Sequence, residues 1–458
     1  MEQIQKQDVL QLKAWIHGKQ PMEVRNYLST LMPADIAMLF EDLEEEERLI
    51  AFRILPKELA ADAFVYFDNE IQEDLIQAFN DVELKEVFEQ VFLDDTVNII
   101  EEMPANVVKR ILRSCRPERR KMINELLQYP EESVGSLMTI EYIALRGSMT
   151  VRQAIDKIRK TGMNKEMIYT CYVVDDQRHL EGLLSIRDLL NHTDETPIET
   201  FMETNVISIG THDDQEQAAQ MLSKYDFLAL PVVDYENRLV GIVTIDDAVD
   251  VLQEENTEDM EIMAAIAPSD HPYLKTTPLE MWGKRIPWLL FLMLSATFTG
   301  MIISNFEDKL AAYVALTAFI PMLMGTGGNS GGQASVMITR GLSLGEIEIS
   351  DLPKVIWKEF RVGILCGVTL AIENFGKMLL VDRYLMHNPD ITILVITVVS
   401  LTILVEVIAA KIVGCILPIA AKRLGLDPAV MASPFITTIV DALSLLIYFQ
   451  LAVAILHI

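Results

Sequence analysis

An aspartate, Asp441, stands inside the last apolar run of the chain, MASPFITTIVDALSLLIYFQLAVAILHI. A carboxylate at the centre of a membrane helix costs about 2.5–3.5 kcal/mol on insertion scales, so it is expected to face a water-filled path or a partner. The alternatives are a structural ion pair with Lys411 of the preceding run, or a protonated carboxyl. A second signal lies upstream in PMLMGTGGNSGGQASVMITRG, where Gly325, Gly327, Gly328, Gly331 and Gly332 surround Asn329 and Gln333. Small residues allow close helix contact, whereas unwound backbone offers carbonyl oxygens where it lines a cavity. Taken alone the glycines fit either reading. Together with Asp441, residues Gly325, Gly328 and Asn329 suggest a constriction of carbonyls, amide and carboxylate, a set of hard ligands that suits Mg²⁺ or Ca²⁺. Mg²⁺ keeps most of its water and is held by one or two carboxylates. One Asp441 per chain therefore suffices if two copies meet on a two-fold axis.

Further acids are spaced for a helix. In DDAVDVLQEENTEDME (246–261), Asp247, Asp250, Glu254, Glu258 and Glu261 fall on one helical face. Like charges at that spacing destabilise a helix by about 0.2–0.5 kcal/mol per pair. The face is either simply solvated or relieved by a bound cation. Glu373 and Lys377, at i,i+4, are expected to satisfy each other, and Glu406 carries no pattern that assigns it.

The elements that must position these residues divide the 458-residue chain in two. Residues 1–275 hold 54 acids and 26 bases, whereas 276–458 hold 13 acids and 12 bases. An acidic soluble half thus precedes a nearly neutral, apolar one, a balance that repels nucleic acid and favours cations. Apolar runs of bilayer length near 286–304, 311–336, 355–381, 391–420 and 430–456 give five expected spans, since about 20 residues cross a bilayer. Lys284, Arg285, Arg340, Lys354, Lys358, Arg361, Lys422 and Arg423 fall in loops on the side of the acidic half, and few bases beyond Lys309 and Arg383 on the other. The N-terminus is then cytosolic and the C-terminus outside. The first residues have no apolar stretch resembling a signal peptide. Cys115, Cys171, Cys366 and Cys415 lie too far apart to suggest a disulfide framework or zinc site.

Residues 1–130 read as short amphipathic helices punctuated by LMPADIAMLF, ILPKELAADAF and MPANVVKRIL, as in a stacked helical superhelix. Residues 133–253 contain an internal repeat: 137–160 lines up with 201–224, and YVVDDQRHLEGLLSIRDLL (172–190) with LPVVDYENRLVGIVTIDDAV (230–249). The V-V-D…L-x-G-x-x-[ST]-x-x-D pattern resembles tandem cystathionine-β-synthase (CBS) domains, adenosine-nucleotide-binding regulatory modules. The fold expected is therefore multidomain. It comprises an all-α superhelix (1–130), an α/β CBS pair (131–253), an acidic connecting helix (254–280) and a pore domain of five helices (281–458).

That order, with GTGGNSGGQAS…RG (325–341) and LDPAVMASPFITTIVD (426–441), resembles the MgtE family of magnesium channels over essentially the whole chain. The resemblance implies a homodimer in the plasma membrane that passes Mg²⁺, and possible passage of Co²⁺ or other divalents, through a pore lined by the second and fifth spans with Asp441 at the central ion site. It implies no enzyme. It further implies closure by cytosolic Mg²⁺ at Asp95, with Asp94 beside it, and at Glu216, Asp226, Asp247, Asp250, Glu258, Asp259 and Asp427. ATP binding through Arg187, Asp188, Phe227, Leu228 and Ala229 is also implied. Two positions depart from the family pattern: Thr170 replaces an adenine-stacking aromatic, and Ser433 replaces an Asn before Pro434. A secondary carrier and a non-transporting nucleotide sensor are the competing readings; the absence of an obvious inverted repeat weighs against the carrier.

Overall fold

The computed structural model describes residues 6–269, 273–274, 276–307, 311, 313–431 and 433–457. Lys309 and the first five residues lie outside them. The chain forms two compact units, residues 1–252 and 253–458.

In the first unit, ten short helices run from Lys6–His17 to Pro117–Leu126. Prolines open several of them, as at Pro21, Pro33 and Pro117, where the missing N–H would be unpaired in any case. Capping boxes start others, Glu44 with Glu47 and Asn80 with Glu83. From Pro21–Leu28 to Lys57–Val65, each helix packs against the second one after it. The two rows thus built enclose Phe40, Phe52, Phe64, Phe67, Phe79 and Phe88, with Phe40 stacked on Phe67 at 4.9 Å. This is the expected superhelix.

Each repeat then forms a three-stranded sheet. In the first, β1 (Ile143–Leu145) runs parallel to β2 (Thr170–Val174), which pairs antiparallel with β3 (Leu180–Ser185). The second repeats this order with β4 (Ile209–Gly210), β5 (Ala229–Val233) and β6 (Leu239–Thr244). The repeats are laced together by Thr139 and Ile242, each donating its N–H to the other's carbonyl. Gly241 permits that approach, since a Cβ there would lie 2.5 Å from Met138 Sδ. The acidic helix runs Ile245–Met263, so it starts inside the second repeat and not at 254.

The second unit is built around the long helix Ile393–Arg423. Just over half of its most apolar stretch (56%) is buried, against 6% for Pro278–Asn305, which leaves Leu289, Phe291, Leu294 and Phe298 facing outward. Among the described residues, four segments are long and apolar enough to cross a membrane: Pro278–Asn305, Ile349–Leu385, Ile393–Arg423 and Pro428–Leu456. The expected second span is the helix Ile320–Ser343. It has the length, but its glycines, Asn329 and Gln333 hold its apolarity below that of the other four, so the count of five does not follow from length and apolarity. It also starts later than 311, because Pro321 is tolerated only in a first turn.

Other expectations are corrected here. The glycine-rich stretch is continuous helix, so its carbonyls are engaged in the helix and not unwound. Lys377 pairs with Asp382 at 3.1 Å rather than with Glu373, because the helix passes at Met378 into π-helix, which brings i and i+5 together. Lys411 lies 4.0 Å from Glu359 and is not the partner of Asp441.

The glycines make the packing possible. A Cβ on Gly414 would collide with the Gly331 carbonyl, and one on Gly327 would lie 2.5 Å from Ser444 Oγ. Overpacking costs about 1–3 kcal/mol or more. Gly414→Val should therefore lower the melting temperature of the purified protein in detergent, whereas Gly376→Ala, with nothing within 4 Å of its Cβ, should leave it unchanged.

Candidate functional site

In the membrane half, Asp441 sits in the helix Ser433–Leu456, packed along the glycine-rich helix. Gly327 meets Val440 and Ser444, Gly328 meets Thr437, and Gly331 meets Ile436 and Val440. Gly328 is thus a point of helix contact. Gly325 and Asn329 lie one turn apart on the exposed face, with Gln333 a turn further on. Asp441 is half-buried, and its Oδ1 is buried without a hydrogen-bond partner among the described residues. Two more orphaned groups are Ser444 Oγ and the carboxyl of Glu406. Glu406 is 1% exposed, and Ser444 and Asp441 are the polar groups that act on it. Buried polar atoms without partners are rare because each costs about 1–3 kcal/mol. Their collection on two adjoining helices marks a polar track through an apolar layer.

At one end of that track, Asp259 of the acidic helix accepts a hydrogen bond from Ser343 Oγ at 3.3 Å, at the C-terminus of the glycine-rich helix. Burial and the charge of Asp427 both raise its pKa. Asp427 itself accepts from the Ala429 N–H at 2.8 Å. Two of the acids expected to bind cation are therefore within electrostatic reach of each other.

In the first unit, three carboxylates from distant parts of the sequence converge. Asp94 comes from the helix Leu93–Glu101, Glu166 from the loop before β2, and Asp247 from the first turn of the acidic helix. One oxygen of each lies within 4.8 Å of the others. Asp94 is 3% exposed, and Asp94 Oδ1 and Glu166 Oε2 have no hydrogen-bond partner among the described residues. Thr244 Oγ1 donates to Asp247 Oδ2 at 2.6 Å and holds that carboxylate in place. Burial, followed by the charge of Asp94, pushes Asp247 up to about 8. Burial raises Glu166 to about 7, with Asp247 adding to the shift, and burial with the Glu166 charge raises Asp94 well above the usual range. Asp95 is pushed up to about 6 by burial and then by Asp246, but it lies outside the triad. A divalent cation would neutralise this repulsion and use the free oxygens, so the donor set fits a hard metal ion.

Sequence reasoning included Asp247, placed Asp94 second to Asp95 and missed Glu166. No spacing could have revealed Glu166, a lone acid in GMNKEMIY. Other expected residues are not brought together. Glu216 and Asp226 occupy opposite ends of the helix Gln215–Tyr225, Asp226 as its left-handed cap. Asp250 is exposed and Glu258 half-buried on the acidic helix. Of the nucleotide set, Asp188 accepts from the Ser185 N–H (2.8 Å) and hydroxyl (2.7 Å), a capping box that lowers its pKa. Phe227 stacks on Tyr225 at 5.4 Å, Leu228 is exposed, Ala229 opens β5, and Arg187 is exposed.

Raised carboxyl pKa values mean that the metal-free fold binds more protons than the unfolded chain between about pH 4 and 8. That contribution to stability is complete below the unfolded pKa and is lost as pH rises through about 6 to 8, the folded values of Asp95, Glu166 and Asp247. In chelator, the melting transition of the first unit should fall by several degrees from about pH 5 to pH 8, and millimolar Mg²⁺ should restore most of it. A transition insensitive to both would remove the triad as a cation site.

Comparisons with known proteins bear on the family of the chain. The family profile described as "Divalent cation transporter" matches residues 320–451, that described as "MgtE intracellular N domain" matches 31–132, and the CBS domain profile matches 134–195 and 198–254. The chain is 36% identical over 433 residues to the magnesium transporter MgtE of Thermus thermophilus, covering 94% of each chain. It is 33% identical over 442 residues to the magnesium transporter MgtE of Bacillus subtilis, covering 95% of this chain and 94% of that one. A crystal structure of the cytosolic domain of the Mg²⁺ channel MgtE in complex with ATP superimposes with a TM-score of 0.51 at 34% identity, over 53% of this chain and 99% of that one. With three domains matched in order and relatives above 30% identity aligned over nearly their full length, the chain belongs to the MgtE family.

Proposed function

We propose that this protein conducts Mg²⁺ across the plasma membrane as a homodimeric channel and is closed by cytosolic Mg²⁺. The observation that carries the reading is the half-buried Asp441, an acid in an apolar helix with one oxygen unpartnered. Its other candidate partner, Lys411, is turned to Glu359. The glycine-rich helix serves as the second of five spans, and its exposed Gly325, Asn329 and Gln333 face the partner copy across the two-fold axis. The N-terminus is cytosolic and the C-terminus outside. Mg²⁺ passes largely hydrated, held by the two Asp441 carboxylates, with Co²⁺ or other divalents admitted by the same hard ligands.

Closure follows from charge. Without internal Mg²⁺, the triad Asp94, Glu166 and Asp247 and the pair Asp259 and Asp427 repel, as do Asp95, Asp250, Glu258, Glu216 and Asp226 with their acidic neighbours. Bound Mg²⁺ draws the acids together, and the acidic helix, which ends beside Ser343, bears on the mouth of the glycine-rich helix. Moving an equilibrium from 1:99 to 99:1 needs a state preference of about 10⁴, roughly 5.5 kcal/mol. Four weak sites, each about tenfold selective, supply it and give a steep response. ATP bound through Arg187, Asp188 and the segment Phe227–Ala229 would bias the same module, with Asp188 released from its cap or contributing its free oxygen.

Mg²⁺ flux into liposomes tests this. Asp441→Ala should reduce flux to background, and a chain lacking residues 1–270 should conduct without inhibition by Mg²⁺ on the cytosolic side. The double variant Glu166→Gln, Asp247→Asn should shift the inhibitory Mg²⁺ concentration upward about tenfold, the selectivity of one site. Unchanged flux in Asp441→Ala would reject the ion path, and unchanged inhibition in the double variant would reject the triad as sensor.

A further inference from the structure

A cavity of about 300 Å³ beside the first repeat's sheet is lined by Arg146, Lys157, Lys165 and Arg178, together with Tyr142. In a chain of net charge -29, four cations converging on one hollow run against the charge of the whole molecule. They are poorly neutralised from within. Arg146 Nη1 lies 3.2 Å from Asp176, whose side chain is fully exposed. Lys157 donates only to the Ala144 carbonyl, at 2.6 Å. Arg178 donates to the Tyr142 hydroxyl at 2.9 Å and the Leu239 carbonyl at 3.0 Å, which fixes its guanidinium with donors to spare. Burial, followed by the charge of Arg146, lowers the pKa of Lys157. Burial also lowers that of Lys165, with Glu141 opposing the shift and Lys157 adding to it.

The second repeat is an internal control. Leu145 pairs with Val173 as Ile209 pairs with Val232, and the helices that follow open at Val151 and Gln215. In that register, the positions of Arg146, Lys157 and Arg178 are occupied by Gly210, Met221 and Asn237. Arg178 and Asn237 hold the same left-handed turn position, with φ of 70° and 61°. That conformation suits Asn and strains Arg. The second copy of the scaffold thus forms without the three cations, and one of them is kept against backbone preference.

We propose that this cavity binds a phosphate-bearing small molecule, at a site separate from the Arg187–Asp188 turn and present only in the first repeat. Lysines as point charges and arginine forks are the usual phosphate ligands. The volume lies at the lower end of small-molecule pockets, about 300–1,000 Å³, which fits an inorganic phosphate chain or a mononucleotide and not a polymer.

Calorimetry on the full-length protein in detergent, with chelator present so that the acidic sites hold no metal, tests the proposal using pyrophosphate and ATP as probes. Pyrophosphate should bind saturably. The double variant Lys157→Met, Arg178→Asn, which installs the second repeat's own residues, should weaken it at least tenfold, and Arg187→Ala should not. Arg146→Gln, which loses only an exposed ion pair, should weaken it several-fold with the melting temperature unchanged, so a folding defect in the double variant does not decide the result. If ATP affinity falls together with pyrophosphate affinity, the site is one for nucleotides; if ATP affinity survives, it takes other phosphates; both support the proposal. No saturable pyrophosphate binding at millimolar concentration, or equal affinity in the parent and Arg146→Gln, overturns it.

Discussion

The interaction on which the structure depends is the repulsion between carboxylates that the fold has partly removed from water without giving them cations. An exposed acidic face costs little, because solvent screens it. Asp94, Glu166 and Asp247 are different: two have an oxygen with no hydrogen-bond partner, and their charged forms are disfavoured by burial and by each other. Such a cluster stores a free energy that a divalent ion can release. Its members come from the helical region, the first CBS repeat and the start of the acidic helix, so an ion bound there would touch three elements.

The same helix holds acids in both of its halves. Its N-terminal turn provides Asp247, and its far half provides Asp259, which meets Ser343 at the end of the glycine-rich helix and lies within electrostatic reach of Asp427. Within the membrane half, that helix is seated by small residues. Gly331 and Gly414 let backbone approach backbone, and Gly327 and Gly328 let side chains of the last helix lie close against theirs. Close seating places Val440, Asp441 and Ser444 along a helix whose own surface is polar, and puts Glu406 behind them. Small residues at such contacts let helices approach closely.

Charge also sorts the two CBS repeats, which share strand order and connections but not electrostatics. The first surrounds a hollow with Arg146, Lys157, Lys165 and Arg178. The second has neutral residues at the three positions that align. Duplication gave two copies of one scaffold, and only one acquired the cationic lining.

Much of this was legible in the sequence because it depends on local pattern. Apolar runs of bilayer length, prolines at helix starts, the duplicated V-V-D…G…[ST]-x-x-D signature and the lone Asp441 are all one-dimensional signals. Together they determined the domain order, the membrane-spanning class and the family. Helical phase also placed the acids of residues 246–261 on a common face. What the tertiary structure alone decided is which charges meet. Glu166 has no neighbour in sequence that predicts its meeting with Asp94 and Asp247, Lys377 turns to Asp382 because a π-turn alters the register, and Lys411 turns to Glu359. Conformational preference is set within a few residues, whereas the energy of a charge depends on everything packed around it, and that is settled only when distant segments fold together.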